Sequence, residues 1–154
     1  AMTGALTSID IIGRGGAKLK DQWESGAKSY LGLGIANFPN LFTVTGPGSP
    51  SVLSNMMPSI EQHVNWITDC IDWMETNDKK VIESSKTAED EWMVLVNEIA
   101  DMTIFTDTKS WYNGSNIDSK AKAFLPFIGV PVYAEMLEEV VTEDYKGFIF
   151  DRPN

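Results

Sequence analysis

The chain contains one cysteine and one histidine in 154 residues. A lone thiol, Cys70, excludes an intramolecular disulfide and fits a reducing compartment. With His63 as the sole histidine and no cysteine cluster, the donors of a zinc site cannot be assembled. Basic residues are scarce: 12 Lys and Arg stand against 22 Asp and Glu, for a formal charge of −10. Binding to nucleic acid needs clustered cations, so that class of partner is excluded. No apolar run reaches the ~18 residues of a membrane-spanning helix. No basic segment followed by an apolar one is visible at the start, so no signal peptide is read. The expectation is a soluble, cytoplasmic protein. The dinucleotide fingerprint Gly-x-Gly-x-x-Gly is missing as well, because Gly46 and Gly48 are followed by Ser51 where it needs a third glycine.

What is present is ordinary for a globular protein: 43% hydrophobic and 22% charged residues. A chain of this length buries roughly 68–70% of its unfolded surface, enough for one domain with a core. Residues 3–12, with Leu6, Ile9, Ile11 and Ile12, read as a strand stopped by Gly13, Gly15 and Gly16. A chain that opens in mid-sheet, with no partner strand nearby in sequence, reads as a fragment of something longer.

Further along, residues 18–30 read as a loop with a short helical turn, anchored by Trp23 and Tyr30. Leu41-Phe42-Thr43-Val44-Thr45 reads as a strand buried on both faces, because it is continuously apolar where an exposed face would alternate. A helix is expected from Ser51 or Pro58 to Glu75, with Ile60, Val64, Ile67, Ile71 and Met74 as its stripe. A second starts at Thr87, where Thr87 and Asp90 imitate a capping box, and continues through Trp92, Leu95, Val96 and Ile99. Residues 103–119 read as a long loop, of the kind that often binds or covers ligands. A third helix over 132–142 places Tyr133, Met136, Leu137 and Val140 on one side, and residues 145–150 read as a closing strand.

The segment Gly46-Pro47-Gly48-Ser49-Pro50-Ser51-Val52-Leu53-Ser54-Asn55-Met56-Met57 carries the most chemistry. A strand, a glycine-rich turn and a helix start would bring several backbone N–H groups to one point, which suits an anion or an electron-rich ligand atom. Three readings stay open at this level: a helix-capping turn, a phosphate site, or a contact to a flavin or nucleotide. Cys70 falls on the helical stripe and reads as an inert buried thiol. His63 reads as structural or solvated, on the side away from Val64 and Ile67. Glu135, Glu138 and Glu139 read as a solvated face. Trp111, beside Gly114 and Asn116, is either a packing anchor or a ring that covers a ligand.

Several blocks resemble the C-terminal part of the Baeyer–Villiger monooxygenases, of the phenylacetone and steroid monooxygenase type. They are Thr3-Gly4-Ala5-Leu6, Trp23, Tyr30-Leu31-Gly32-Leu33, Asn37-Phe38-Pro39-Asn40-Leu41-Phe42, residues 46–57, Ser59-Ile60-Glu61-Gln62-His63-Val64 and Ser110-Trp111-Tyr112-Asn113-Gly114-Ser115-Asn116. The resemblance covers nearly the whole chain. It implies an α/β fold class: the C-terminal piece of a Rossmann-like flavoprotein with two dinucleotide-binding domains, followed by a mainly helical segment. Residues 1–76 would end the FAD-binding domain, and residues 77–154 would hold an NADP-covering loop at about 103–120 and the last strand.

The implied activity uses FAD and NADPH to insert one oxygen atom of O2 beside a ketone carbonyl, through a peroxyflavin, giving an ester or lactone. A related N- or S-oxygenating flavin enzyme and a non-catalytic nucleotide-binding module are the alternatives. The resemblance puts Met56 and Asn55 beside the flavin and Trp111 over NADP. It gives Ser51, Val52, Leu53 and Met57 to the ketone pocket. The catalytic arginine and both dinucleotide fingerprints would lie upstream of Ala1, in the rest of the same enzyme's chain. After Asn116 the sequence Ile117-Asp118-Ser119-Lys120 departs from the family's usual Pro-Gly-Lys turn.

Overall fold

The computed structural model describes residues 2–49, 56–101 and 130–153. Among them are α1 (Met2–Thr7), a single 3₁₀ turn (Arg14–Gly16), α2 (Leu19–Gln22), α3 (Met56–Thr76), β1 (Ile82–Ser84), α4 (Lys86–Asp101), α5 (Val130–Thr142) and β2 (Phe148–Phe150). Within the described residues the sheet is one antiparallel pair, with Ile82 opposite Phe150 and Ser84 opposite Phe148. The expected closing strand is therefore present as β2. Its partner β1 is too short to show a period-2 pattern in sequence.

Two of the expected strands are absent. Residues 2–7 form helix α1, in which Leu6 packs beneath a small cluster of Leu19, Trp23, Ala27, Ile35 and Phe38. Ile9 and Ile12, which suggested a strand, are exposed. Residues 41–45 make one bridge, Phe42 with Gly34, and no ladder. Left-handed residues on either side, Asn40 (φ +57°) and Thr45 (φ +51°), leave no room for a longer extended run.

The main core joins α3, α4, α5 and the hairpin. Trp66 meets Tyr145 edge-on at 5.3 Å, and Trp73 lies 5.0 Å from both Tyr145 and Phe150. The buried face of α3 consists of Ser59, His63, Trp66, Cys70 and Met74. That corrects the expected stripe: Val64 and Ile71 are 47% and 43% exposed, and His63 is fully buried. Both rows have helical spacing, and the apolar arc of α3 is wider than the part these residues cover. Cys70 is buried as expected, and burial pushes its thiol up to about 12, so it remains protonated and unreactive. The exposed row of Glu135, Glu138 and Glu139 on α5 also agrees with the sequence.

Helix ends follow local chemistry. Beyond α3, Asp78 adopts φ +53°, while the Lys79 N–H donates to the Met74 carbonyl at 2.8 Å, a Schellman closure. The cap of α4 is Ser85, whose Oγ accepts from the Ala88 N–H at 3.0 Å. It therefore lies two residues before the expected Thr87, which is exposed. Near the hairpin, Arg14 Nε donates to Glu83 Oε1 at 2.7 Å, and the Glu83 side chain is 1% exposed. This pair ties the first loop to β1.

Breaking a buried pair leaves an uncompensated charge. Arg14→Ala should lower unfolding free energy by about 3 kcal/mol, read from denaturant midpoints at constant m-value. An unchanged midpoint would mean that Arg152, 3.8 Å from the same oxygen, holds Glu83 without help.

Candidate functional site

The site is assembled around residues 43–49, where the chain turns toward α3. Thr43 N–H donates to the Leu33 carbonyl at 2.8 Å, Thr43 Oγ1 to the Gly32 carbonyl at 2.8 Å, and Gly46 N–H to the same carbonyl at 3.1 Å. Residues 43–46 thus lie directly on residues 32–33. A Cβ at Gly46 would stand 2.7 Å from the Gly32 oxygen, so only glycine allows this approach. Gly48 combines φ +81° with a Trp92 indole whose nitrogen would be 2.9 Å from an added Cβ.

The turn's polar groups are bonded inward. The Pro47 carbonyl accepts from Ser29 Oγ, and the Gly48 carbonyl accepts from Trp92 Nε1 at 3.2 Å. The Gly46 carbonyl takes the Ser49 hydroxyl at 2.7 Å and the Ser49 N–H at 3.1 Å. The Gly46 and Ser49 N–H groups of the segment are therefore used inside the fold, as is that of Thr45 just before it. The Gly46 and Ser49 N–H groups do not take part in the convergence expected from the sequence.

His63 joins the turn to two helices. Thr45 N–H donates to Nδ1 at 2.8 Å, and Nε2 lies 2.6 Å from the Tyr133 hydroxyl. That hydroxyl donates to the Leu31 carbonyl, which has no proton of its own to give. Tyr133 has one proton, so Nε2–H must be the donor between the two rings, and the imidazole is the neutral Nε2–H tautomer. Burial holds its pKa down at about 4 and pushes the Tyr133 phenol up, so both keep the protons this arrangement needs. His63 is structural, as one of the sequence readings had it, yet it lies on the core side of α3. The sequence reading missed Tyr133, Thr45 and Trp92 as members of this site. The signal available was the stripe 59-63-66-70-74, in which His63 keeps step with Trp66 and Cys70.

Of the residues singled out in the sequence, Met56 is half-buried in the first turn of α3 and Met57 is 67% exposed beside it. Ser51, Val52, Leu53, Asn55 and Trp111 lie outside the described residues. An open groove of about 440 Å³ between α4 and α5, and another of about 470 Å³ between α3 and α5, include neither methionine. Among the described residues no group of three His, Cys, Asp or Glu could hold a metal ion, and no helix is long and apolar enough to cross a membrane.

The neutral ring makes a pH prediction. Its folded value of about 4 lies below the ordinary 6.5, so unfolded chains bind the proton first. The stabilisation is complete above pH 6.5 and is lost as pH falls toward 4, by roughly 3 kcal/mol in total. Denaturant titrations should show the wild type losing this stability relative to His63→Asn, which lacks a titrating ring. Parallel pH curves for the two proteins would contradict the assignment.

Comparison with known proteins adds to this geometry. No family model matches the chain. It is 42% identical over 147 residues to a phenazine N-monooxygenase of Lysobacter antibioticus, covering 95% of this chain and 27% of that protein. It is 38% identical over 153 residues to a Baeyer-Villiger monooxygenase of Pseudooceanicola batsensis, covering 99% of this chain and 28% of the relative. Its structure matches that of an NADP+-bound cyclohexanone monooxygenase from Rhodococcus with a TM-score of 0.93 at 38% identity. That match covers 99% of this chain and 29% of the other. The chain therefore spans little more than a quarter of the length of the curated relatives it matches.

Proposed function

We propose that this chain, homologous over nearly its whole length to Baeyer–Villiger monooxygenases, is the C-terminal part of such an enzyme. The reaction would be ketone, O2, NADPH and a proton giving ester or lactone, NADP+ and water. The observation that carries the reading is joint agreement of fold and sequence with a cyclohexanone monooxygenase along almost the full chain. The exposed row of Met57, Val64 and Ile71 on α3 supports the view that more protein packs there.

The residues present fit one end of FAD. Pro58, in the first turn of α3, has no N–H to satisfy. Ser59 is buried there, and among the described residues its Oγ has no partner. The positive end of a 21-residue helix favours negative charge on a ring carbonyl. The glycine fingerprint that cradles a pyrophosphate is missing, so that end belongs to the part of the enzyme beyond this chain. Bound FAD, reduced by NADPH, would supply the oxygen-activating chemistry.

This chain's own residues would bind and orient. Met56 and Asn55 would border the flavin, while Ser51, Val52, Leu53 and Met57 would shape the space for the ketone. Trp111, within 103–120, would hold NADP through its indole N–H and help to exclude water. Residues 1–76 would complete the FAD domain, and residues 77–154 would form the helical segment after it. A second reading is favoured by one observation, the 42% identity to a phenazine N-monooxygenase: the same walls would then hold an aromatic nitrogen heterocycle.

The test is turnover by the complete enzyme carrying this chain. NADPH consumption should match ester formation from cyclic or aryl ketones. N-oxide without ester would select the second reading, and a protein that takes up no FAD would defeat both. Exchanging Val52 or Leu53 for larger residues should shift the preferred substrate severalfold with FAD content intact. Loss of FAD in those variants would remove them from the substrate wall.

A further inference from the structure

The groove between α3 and α5, about 470 Å³, takes no part in the site built around His63. Glu61 and Asp69 border it from α3 and Glu138 from α5, and among the described residues no lysine or arginine lines it. Two buried polar atoms on its α3 wall have no hydrogen-bond partner among the described residues. They are Gln62 Oε1 and the indole Nε1 of Trp66, a residue only 7% exposed. Buried donors and acceptors are nearly always paired, so an orphan of each kind on one wall marks a place that something else fills. The groove between α4 and α5 makes the contrast. There the Tyr30 hydroxyl donates to the Lys146 carbonyl at 2.8 Å, the Trp92 indole donates to the Gly48 carbonyl, and Lys146 Nζ lies 3.0 Å from Glu143. Those groups are satisfied from within the protein.

The missing partners define the occupant. An indole N–H needs an acceptor such as a peptide carbonyl, while Gln62 Oε1 and three carboxylates need donors. A lysine or arginine side chain supplies several donors together with the opposite charge. A short extended stretch of peptide that carries one such side chain offers both. We propose that the groove seats an extended basic segment from the part of the enzyme outside this chain, its backbone carbonyl accepting from Trp66 and its cation donating to Gln62 and the acidic rim. This rests on the proposed function, which makes the chain one part of a longer enzyme. The chain spans 28% of its Baeyer-Villiger relative, so a protein of that length has ample further chain to cover this face. Exposed Met57 and Val64, four and three residues from Glu61 along α3, continue the face with apolar surface.

Photo-crosslinking in the complete enzyme tests this. The photoreactive amino acid p-benzoylphenylalanine is placed in the groove instead of Asn65 on α3 or, separately, instead of Ala134 on α5. Two walls are used so that one reports if the other variant fails to fold. Both probes should join to a lysine- or arginine-bearing stretch of the same polypeptide outside residues 1–154. Adding Glu138→Lys should cut the yield from the α3 probe about fivefold, and Glu138→Gln about twofold, because reversal repels a cation that neutralisation only ceases to attract. Crosslinks confined to residues 1–154, crosslinks to a second copy, attachment to a stretch without a cation, or no crosslink at all overturn the inference. So does a yield indifferent to the charge at position 138. Wild-type turnover reports on the functional reading separately: ester formation without such a crosslink defeats the inference and leaves that reading standing.

Discussion

An imidazole with no access to water must satisfy both of its nitrogens from within the protein, and that constraint organises the centre of this molecule. His63 does so with a backbone N–H on one side and a phenol on the other. Three distant stretches are thereby fixed to one another: the corner at Thr45, helix α3 that carries the ring, and helix α5 that carries Tyr133. The Leu31 carbonyl completes the series. Because each hydrogen bond fixes the direction of the next, the arrangement specifies one tautomer and one order of donors. A buried polar network of this kind contributes rigidity as long as every member is paired.

Helix α4 holds the same loops from another side. The Trp92 indole N–H reaches the Gly48 carbonyl, and the Glu89 carboxylate accepts the Ala36 N–H at 2.8 Å. Burial raises the pKa of Glu89, and this hydrogen bond works against that rise. The loops 29–38 and 43–49 contain little regular structure, yet α3, α4 and α5 each contribute a side chain that bonds their backbone. Their shape is thus a property of the helices around them.

Parts of this were legible in the sequence. The three long helices follow from apolar spacing, because a 3.6-residue period survives whatever packs against it. The spacing sets Tyr133, Met136, Leu137 and Val140 on one face; Tyr133, Leu137 and Val140 are buried, and Met136 is half-buried against the same core. The face of α3 was misjudged, since two neighbouring rows are apolar and the polar Ser59 and His63 belong to the buried one. The strands expected at 3–12 and 41–45 failed for a different reason. β-branched and aromatic residues describe a surface that fits a sheet, while the left-handed backbone at Asn40 and Thr45 comes from tertiary hydrogen bonds. The family resemblance rested on local blocks, and it survived these errors because it did not depend on the strand assignments.

The sequence by itself determined that no disulfide can close within this chain, the net acidic charge, the three long helices and the missing pyrophosphate fingerprint. Each of these is a matter of residue type or short-range spacing. Only the tertiary structure decided that the single histidine is a buried neutral clamp, that Tyr133 is its partner, and that the Gly46 and Ser49 N–H groups bond within the fold. Those facts depend on residues up to 102 positions apart meeting within hydrogen-bond distance. No local pattern encodes such a meeting, because it arises only when three helices close on one loop.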